Sequence, residues 1–76
     1  MKDLIEYIAR MLVDDPEQVR VVEAGKDDAA VFQLHVAKND LGKVIGKNGR
    51  TARSIRSLLG VLSAKEGRRA SLEIVD

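Results

Sequence analysis

The feature that most constrains this chain is the run Val44-Ile45-Gly46-Lys47-Asn48-Gly49-Arg50, which joins a short apolar segment of helical spacing to a longer basic one. Glycine tolerates positive φ and brings no Cβ, so a bend built on Gly46 and Gly49 can turn tightly and let a ligand approach the main chain. The residues after Gly49 read as a helix, and the first amides of a helix have no partner within it. Those amides and the positive end of the helix dipole suit an anion such as a phosphate. Lys47 and Arg50 add full charges at the same place. The pattern reads as a clamp for a nucleic-acid backbone, and the rest of the chain as the scaffold that holds it.

The scaffold can be read in order. Leu4, Ile5, Ile8, Met11 and Leu12 recur at helical spacing, so an amphipathic helix is expected over 3–13, with Asp3 capping its start. Pro16 disfavours helical geometry at Asp15 and ends it. Val19–Ala24 reads as a strand, Gly25-Lys26-Asp27-Asp28 as a turn, and Val31–Val36 as a second strand with Phe32, Leu34 and Val36 on one face. The short connection predicts an antiparallel hairpin. Asn39 or Asp40 is placed to cap a brief helix, Leu41–Ile45. After the glycine bend, a longer helix is expected from about Arg50 to Lys65, its buried stripe formed by Ala52, Ile55, Leu58, Leu59 and Leu62. Gly60 weakens that helix by about 1 kcal/mol relative to alanine, and Gly67 is placed to cap its end. Ala70–Val75 reads as a third strand, with Ala70, Leu72 and Ile74 inward. Three short strands cannot hide an apolar face alone, so the helices must pack on it in a two-layer α+β domain. There is no repeat or linker, and the 76 residues make one domain, 1–76.

Charge separates along the chain although the net charge is only +1. Residues 1–37 carry four Lys or Arg against eight Asp or Glu, a net −4; residues 38–76 carry nine against four, a net +5. The positive field falls on the half that holds the bend, where it would attract a polyanion. There is no cysteine, hence no disulfide, and no Cys/His cluster for zinc. With no signal peptide or long apolar run, a cytoplasmic protein without a membrane segment is expected. The nucleotide-binding pattern G-x-x-x-x-G-K-[ST] fails from either Gly42 or Gly46. His35, the single histidine, reads as a surface or structural residue, with nucleic-acid contact as the alternative, and Asp14-Asp15-Glu17 reads as a solvated helix end rather than a metal site. No triad, metal set or paired catalytic carboxylates can be assembled, so an enzyme is not expected, and no cofactor is called for.

Taken together, Val44-Ile45-Gly46-Lys47-Asn48-Gly49, its flanking helices and the order helix-strand-strand-helix-helix-strand resemble a KH domain of type II. The whole chain, 1–76, resembles the small stand-alone KH-domain RNA-binding proteins of bacteria. The resemblance implies a three-stranded sheet with helices on one face, and a groove in which the G-x-x-G loop clamps about four nucleotides of a single strand. It implies that Gly46 and Gly49 permit close approach, that Lys47 and Arg50 neutralise phosphates, and that Asn48 presents its backbone or amide. Val44 and Ile45, with strand residues near Val36, would floor the groove, and Lys43 and Arg53 would stand at its rim. Single-stranded RNA is the implied ligand, with single-stranded DNA not distinguished, and the implied role is in RNA regulation or chaperoning. The implied partners are a second copy of the chain or a larger Jag-type KH protein. Leu58, Leu59, Val61 and Leu62 offer more apolar surface than one core stripe needs, and Val61 is the first expectation for a contact between chains. The competing expectation is a protein-interaction module on that patch, with RNA contact incidental.

Overall fold

The computed structural model describes residues 1–26 and 28–75. Three helices, α1 (Lys2–Leu12), α2 (Leu41–Ile45) and α3 (Arg50–Glu66), pack on a sheet of β1 (Arg20–Lys26), β2 (Ala29–His35) and β3 (Arg69–Val75). Chain order is α1-β1-β2-α2-α3-β3, with short 3-10 turns at Pro16–Gln18, Lys38–Asp40 and Lys47–Gly49.

Strand β2 is central. It pairs antiparallel with β1, placing Val21 opposite Leu34, and parallel with β3, placing Phe32 opposite Leu72. The parallel pairing requires a crossover, and α2, the glycine bend and α3 supply it. Alternation decides which face is covered: Ala30, Phe32 and Leu34 are buried, while their neighbours along β2 are only half-buried. On β3, Leu72 is buried and Ser71 and Glu73 are exposed, with Ala70 and Ile74 packed against the core. Ile5 and Ala9 of α1, Val44 of α2, and Ile55 and Leu59 of α3 close the core from the helix side. Removing one of its large members, such as Phe32, would cost about 3–5 kcal/mol.

Several expectations need correction. Helix α1 begins at Lys2, and Asp3 lies inside it with no capping hydrogen bond; the Ile5 amide instead donates to the Met1 carbonyl at 3.1 Å. Met11 is 71% exposed and Leu12 is exposed too; the buried stripe runs through Ile5 and Ala9, and Met11 falls on the far side of the helix from it. On α3 the stripe is Ala52, Ile55, Leu59 and Ser63; Leu58, 40% exposed, lies off it. Ser63 fits because its hydroxyl donates to the Gly60 carbonyl at 3.1 Å. The turn expected over 25–28 includes Asp27, which lies outside the described residues, as does Asp76. Gly25 and Lys26 extend β1, pairing with Ala30 and Ala29.

Helix α3 ends as expected at Gly67. The Gly67 amide donates to the Ala64 carbonyl and the Arg68 amide to the Ser63 carbonyl, the two bonds of a Schellman end. Among the described residues no helix is long and apolar enough to cross a membrane.

Candidate nucleic-acid interface

The interface is built where α2 stops and α3 starts. Gly46 ends α2 at φ 78°, and a Cβ placed on it would lie 2.2 Å from the Thr51 hydroxyl oxygen and 2.7 Å from the Thr51 backbone nitrogen. Only glycine fits there, for both backbone angle and space. The turn closes on itself: the Gly49 amide donates to the Gly46 carbonyl at 3.0 Å, and the Arg50 amide to the Lys47 carbonyl. Asn48 takes a left-handed conformation, φ 57°, which asparagine tolerates better than most side chains.

The amides of the bend divide into two pairs. Those of Gly46 and Gly49 are occupied, by the Gly42 and Gly46 carbonyls. Those of Lys47 and Asn48 have no acceptor among the described residues. The sequence places the open amides after Gly49, at the start of α3; the Arg50 amide there is occupied, and the open pair lies earlier, at Lys47 and Asn48. Both are exposed. Lys47 and Arg50 are also exposed, and neither has an ion pair among the described residues.

Beside the bend lies a cleft of about 380 Å3 between α3 and β3. Ile45, Ala52 and Ile74 give it apolar walls; Asn48, Gly49, Arg53 and Arg56 give it a polar rim. Of the residues expected at the site, Ile45, Asn48, Gly49 and Arg53 line this cleft. Val44 does not: it is 0% exposed, turned into the core by the helical step that turns Ile45 outward, so Ile45 alone of the pair can floor a groove.

Two of the three arginines on α3 are anchored. Arg53 donates from Nη2 to the Asn48 carbonyl at 2.8 Å, pinning the left-handed residue of the bend. Arg56 donates from Nε and Nη2 to the Leu72 carbonyl at 3.4 and 3.3 Å, bridging α3 to β3 across the cleft. Neither bond could be read from residue spacing.

Lys43 belongs to a different cluster. Its ammonium contacts the carboxylates of Asp14 and, at 3.3 Å, Asp40. Asp40 is buried, and instead of capping α2 its two carboxylate oxygens accept from the Asp14 and Asp15 amides at 3.2 and 3.1 Å. Burial alone would raise the Asp40 pKa, but those amides and Lys43 outweigh it and hold the carboxyl below its ordinary value. The hydrogen bond to Asp14 raises the Lys43 pKa; desolvation opposes this, and the bond to Asp40 adds to it.

A second cleft, about 510 Å3, lies at the ends of β2 and β3 beneath α2, lined by His35, Val36, Lys38, Leu41 and Val75. Val36, expected near the groove floor, lines this cleft rather than the one beside the bend.

Comparison with known proteins adds a family and relatives. The description "KhpA/KhpB, KH domain" matches residues 2–74. The RNA-binding protein KhpA of Halalkalibacterium halodurans is 46% identical over 76 residues, covering all of both chains. That of Chlamydia pneumoniae is 45% identical over 76 residues, all of this chain and 97% of its own. That of Borreliella burgdorferi is 43% identical over 74 residues, 97% of this chain and 90% of its own.

Proposed function

The chain belongs to the KhpA/KhpB KH-domain family, and from that premise we propose that it is a non-enzymatic module that binds single-stranded RNA. The strand's phosphates lie on the bend, and its bases lie in the adjacent cleft. The observation that carries this is the pair of amides at Lys47 and Asn48 with no acceptor among the described residues, flanked by two cations with no carboxylate partner among them and opening beside an apolar cleft. Lys47 and Arg50 neutralise phosphates. Gly46 and Gly49 shape the bend, and Asn48 offers its amide. Ile45, Ala52 and Ile74 form the apolar floor, and Arg53 stands at the rim. Lys43 supports this surface from the node with Asp14 and Asp40. The chain acts in the cytoplasm in RNA regulation or chaperoning, and single-stranded DNA can enter the same cleft.

The test is Lys47→Asp with Asn48→Asp, measured in a gel-shift assay and by circular dichroism. Loss of RNA binding with the fold intact is expected; normal binding by the folded double variant would overturn the clamp.

A second reading rests on the outer face of α3, where Leu58 is 40% and Val61 60% exposed. There the chain pairs with a second copy or with a larger Jag-type KH protein. A single site holding about four nucleotides binds weakly, and pairing raises the effective concentration at the second site. Val61→Asp should convert a dimer to a monomer in analytical ultracentrifugation while RNA affinity per chain is retained. An unchanged sedimentation coefficient would remove the patch from consideration.

A further inference from the structure

The cleft at the ends of β2 and β3 has the chemistry of a nucleotide site, and its position joins it to the one beside the bend. Leu41 and Ile45, one turn apart on the same side of α2, line one cleft each, so α2 leads from one to the other. Val36, Leu41 and Val75 supply apolar walls, and His35 supplies the only aromatic ring lining any of the clefts described. Lys38, exposed at the mouth, has no ion pair among the described residues. Arg20 stands opposite His35 in the β1–β2 register and is likewise exposed without an ion pair among them. No carboxylate of the described residues lines the cleft. Flat apolar walls, one ring and cations are what an unstacked base with its phosphate requires.

We propose that this cleft takes a further nucleotide of the bound strand, beyond those gripped at the bend, its base stacked on His35 and its phosphate at Lys38. The proposal presupposes that the cleft beside the bend holds RNA. A neutral peptide or a small apolar molecule would leave Lys38 without an anionic partner, whereas a strand leaving the bend along α2 brings a phosphate to it.

The experiment compares tetranucleotide and hexanucleotide RNAs by fluorescence anisotropy on the wild type, His35→Ala and His35→Phe. Stacking of one base predicts that His35→Ala lowers the hexamer-to-tetramer affinity ratio by about five-fold or more. The tetramer affinity stays within about two-fold of wild type, since the bend is untouched. The extra binding registers of the longer RNA are common to all three proteins and cancel. His35→Phe, which keeps a ring, retains the ratio and guards against a folding defect in the alanine variant. A ratio unchanged in His35→Ala, or equal weakening on both lengths, would overturn the second site while leaving the bend as the RNA site. Failure of the wild type to bind the tetramer would overturn the reading of the bend, and this inference with it.

Discussion

Lys43 and Lys47 stand four residues apart on either side of the end of α2, in opposite surroundings. Lys43 is held by Asp14 and Asp40, and that node ties the end of α1 to the start of α2. Lys47 has no carboxylate partner among the described residues, and its own amide is unpartnered. A cation whose field is cancelled by neighbouring carboxylates contributes to the fold; one left uncancelled, beside open amides, projects its field onto solvent where a polyanion can meet it. Charge along the sequence counts both lysines alike, and only the three-dimensional pairing separates them.

The largest expected effect is on binding. Lys47→Asp with Asn48→Asp sets two new carboxylates against phosphates, and like-charge contact of this kind costs several kcal/mol, about a hundred-fold or more in affinity. Lys43→Ala should instead lower the melting temperature and leave RNA affinity per folded chain nearly unchanged. If Lys43→Ala weakened binding as much as Lys47→Ala in the same gel-shift assay, the two lysines would be doing one job and the contrast would fail.

The glycines sharpen the same boundary. Gly46→Ala meets both the positive φ and the Thr51 backbone, and should destabilise the domain by about 2–3 kcal/mol in urea titration. Gly49→Ala meets only the positive φ, with nothing within 4 Å of the new Cβ, and should cost about 1 kcal/mol. Equal costs would mean that Thr51 yields and that the bend is less tightly built than its distances indicate.

Salt resolves the lysines more finely. With about two to four phosphates neutralised on a single strand, log affinity against log salt should slope at about −1.4 to −2.8. Lys47→Gln should reduce the steepness by about 0.7, and Lys43→Gln should leave it unchanged. A reduction by Lys43→Gln would bring that side chain back to the phosphates.

Which of these features the sequence disclosed follows from how local their causes are. The hairpin, the inward face of β3, the bounds of α2 and the glycine end of α3 rest on spacing and turn chemistry within a few residues, and all are found as expected. Membership of the KH-domain family is legible too, because the motif that carries the resemblance is contiguous in the sequence. Asp40, an acidic residue just before a helix, has the local signature of a cap, whereas its donors, Asp14 and Asp15, are 26 and 25 residues away. Val44 and Ile45 could not be assigned to core and groove, since five residues are too few for a stripe to declare its direction. The bonds from Arg53 and Arg56 to main-chain carbonyls depend on how α3 sits over the bend and β3, which no residue spacing records.

The smallest expected effect concerns acid, and it tests whether the node acts through charge. Asp40 has a folded pKa below its ordinary value of 3.8, so its contribution is full above that value and is lost as pH falls through the lowered one. Lys43 has a folded pKa above its ordinary 10.5, so its contribution is full below 10.5 and is lost as pH rises through the raised value. Between these limits the node should be insensitive to pH. Asp40→Asn keeps the side chain's size but removes its charge, so at neutral pH it should melt earlier than wild type. As pH falls through the lowered Asp40 pKa, wild type loses the charge as well, and the two melting curves should converge. If the gap stayed constant down to strong acid, the loss in Asp40→Asn would come from hydrogen-bond geometry rather than charge. Lys43 would then be held by Asp14 alone, and the contrast with Lys47 would rest on one exposed carboxylate instead of a buried node.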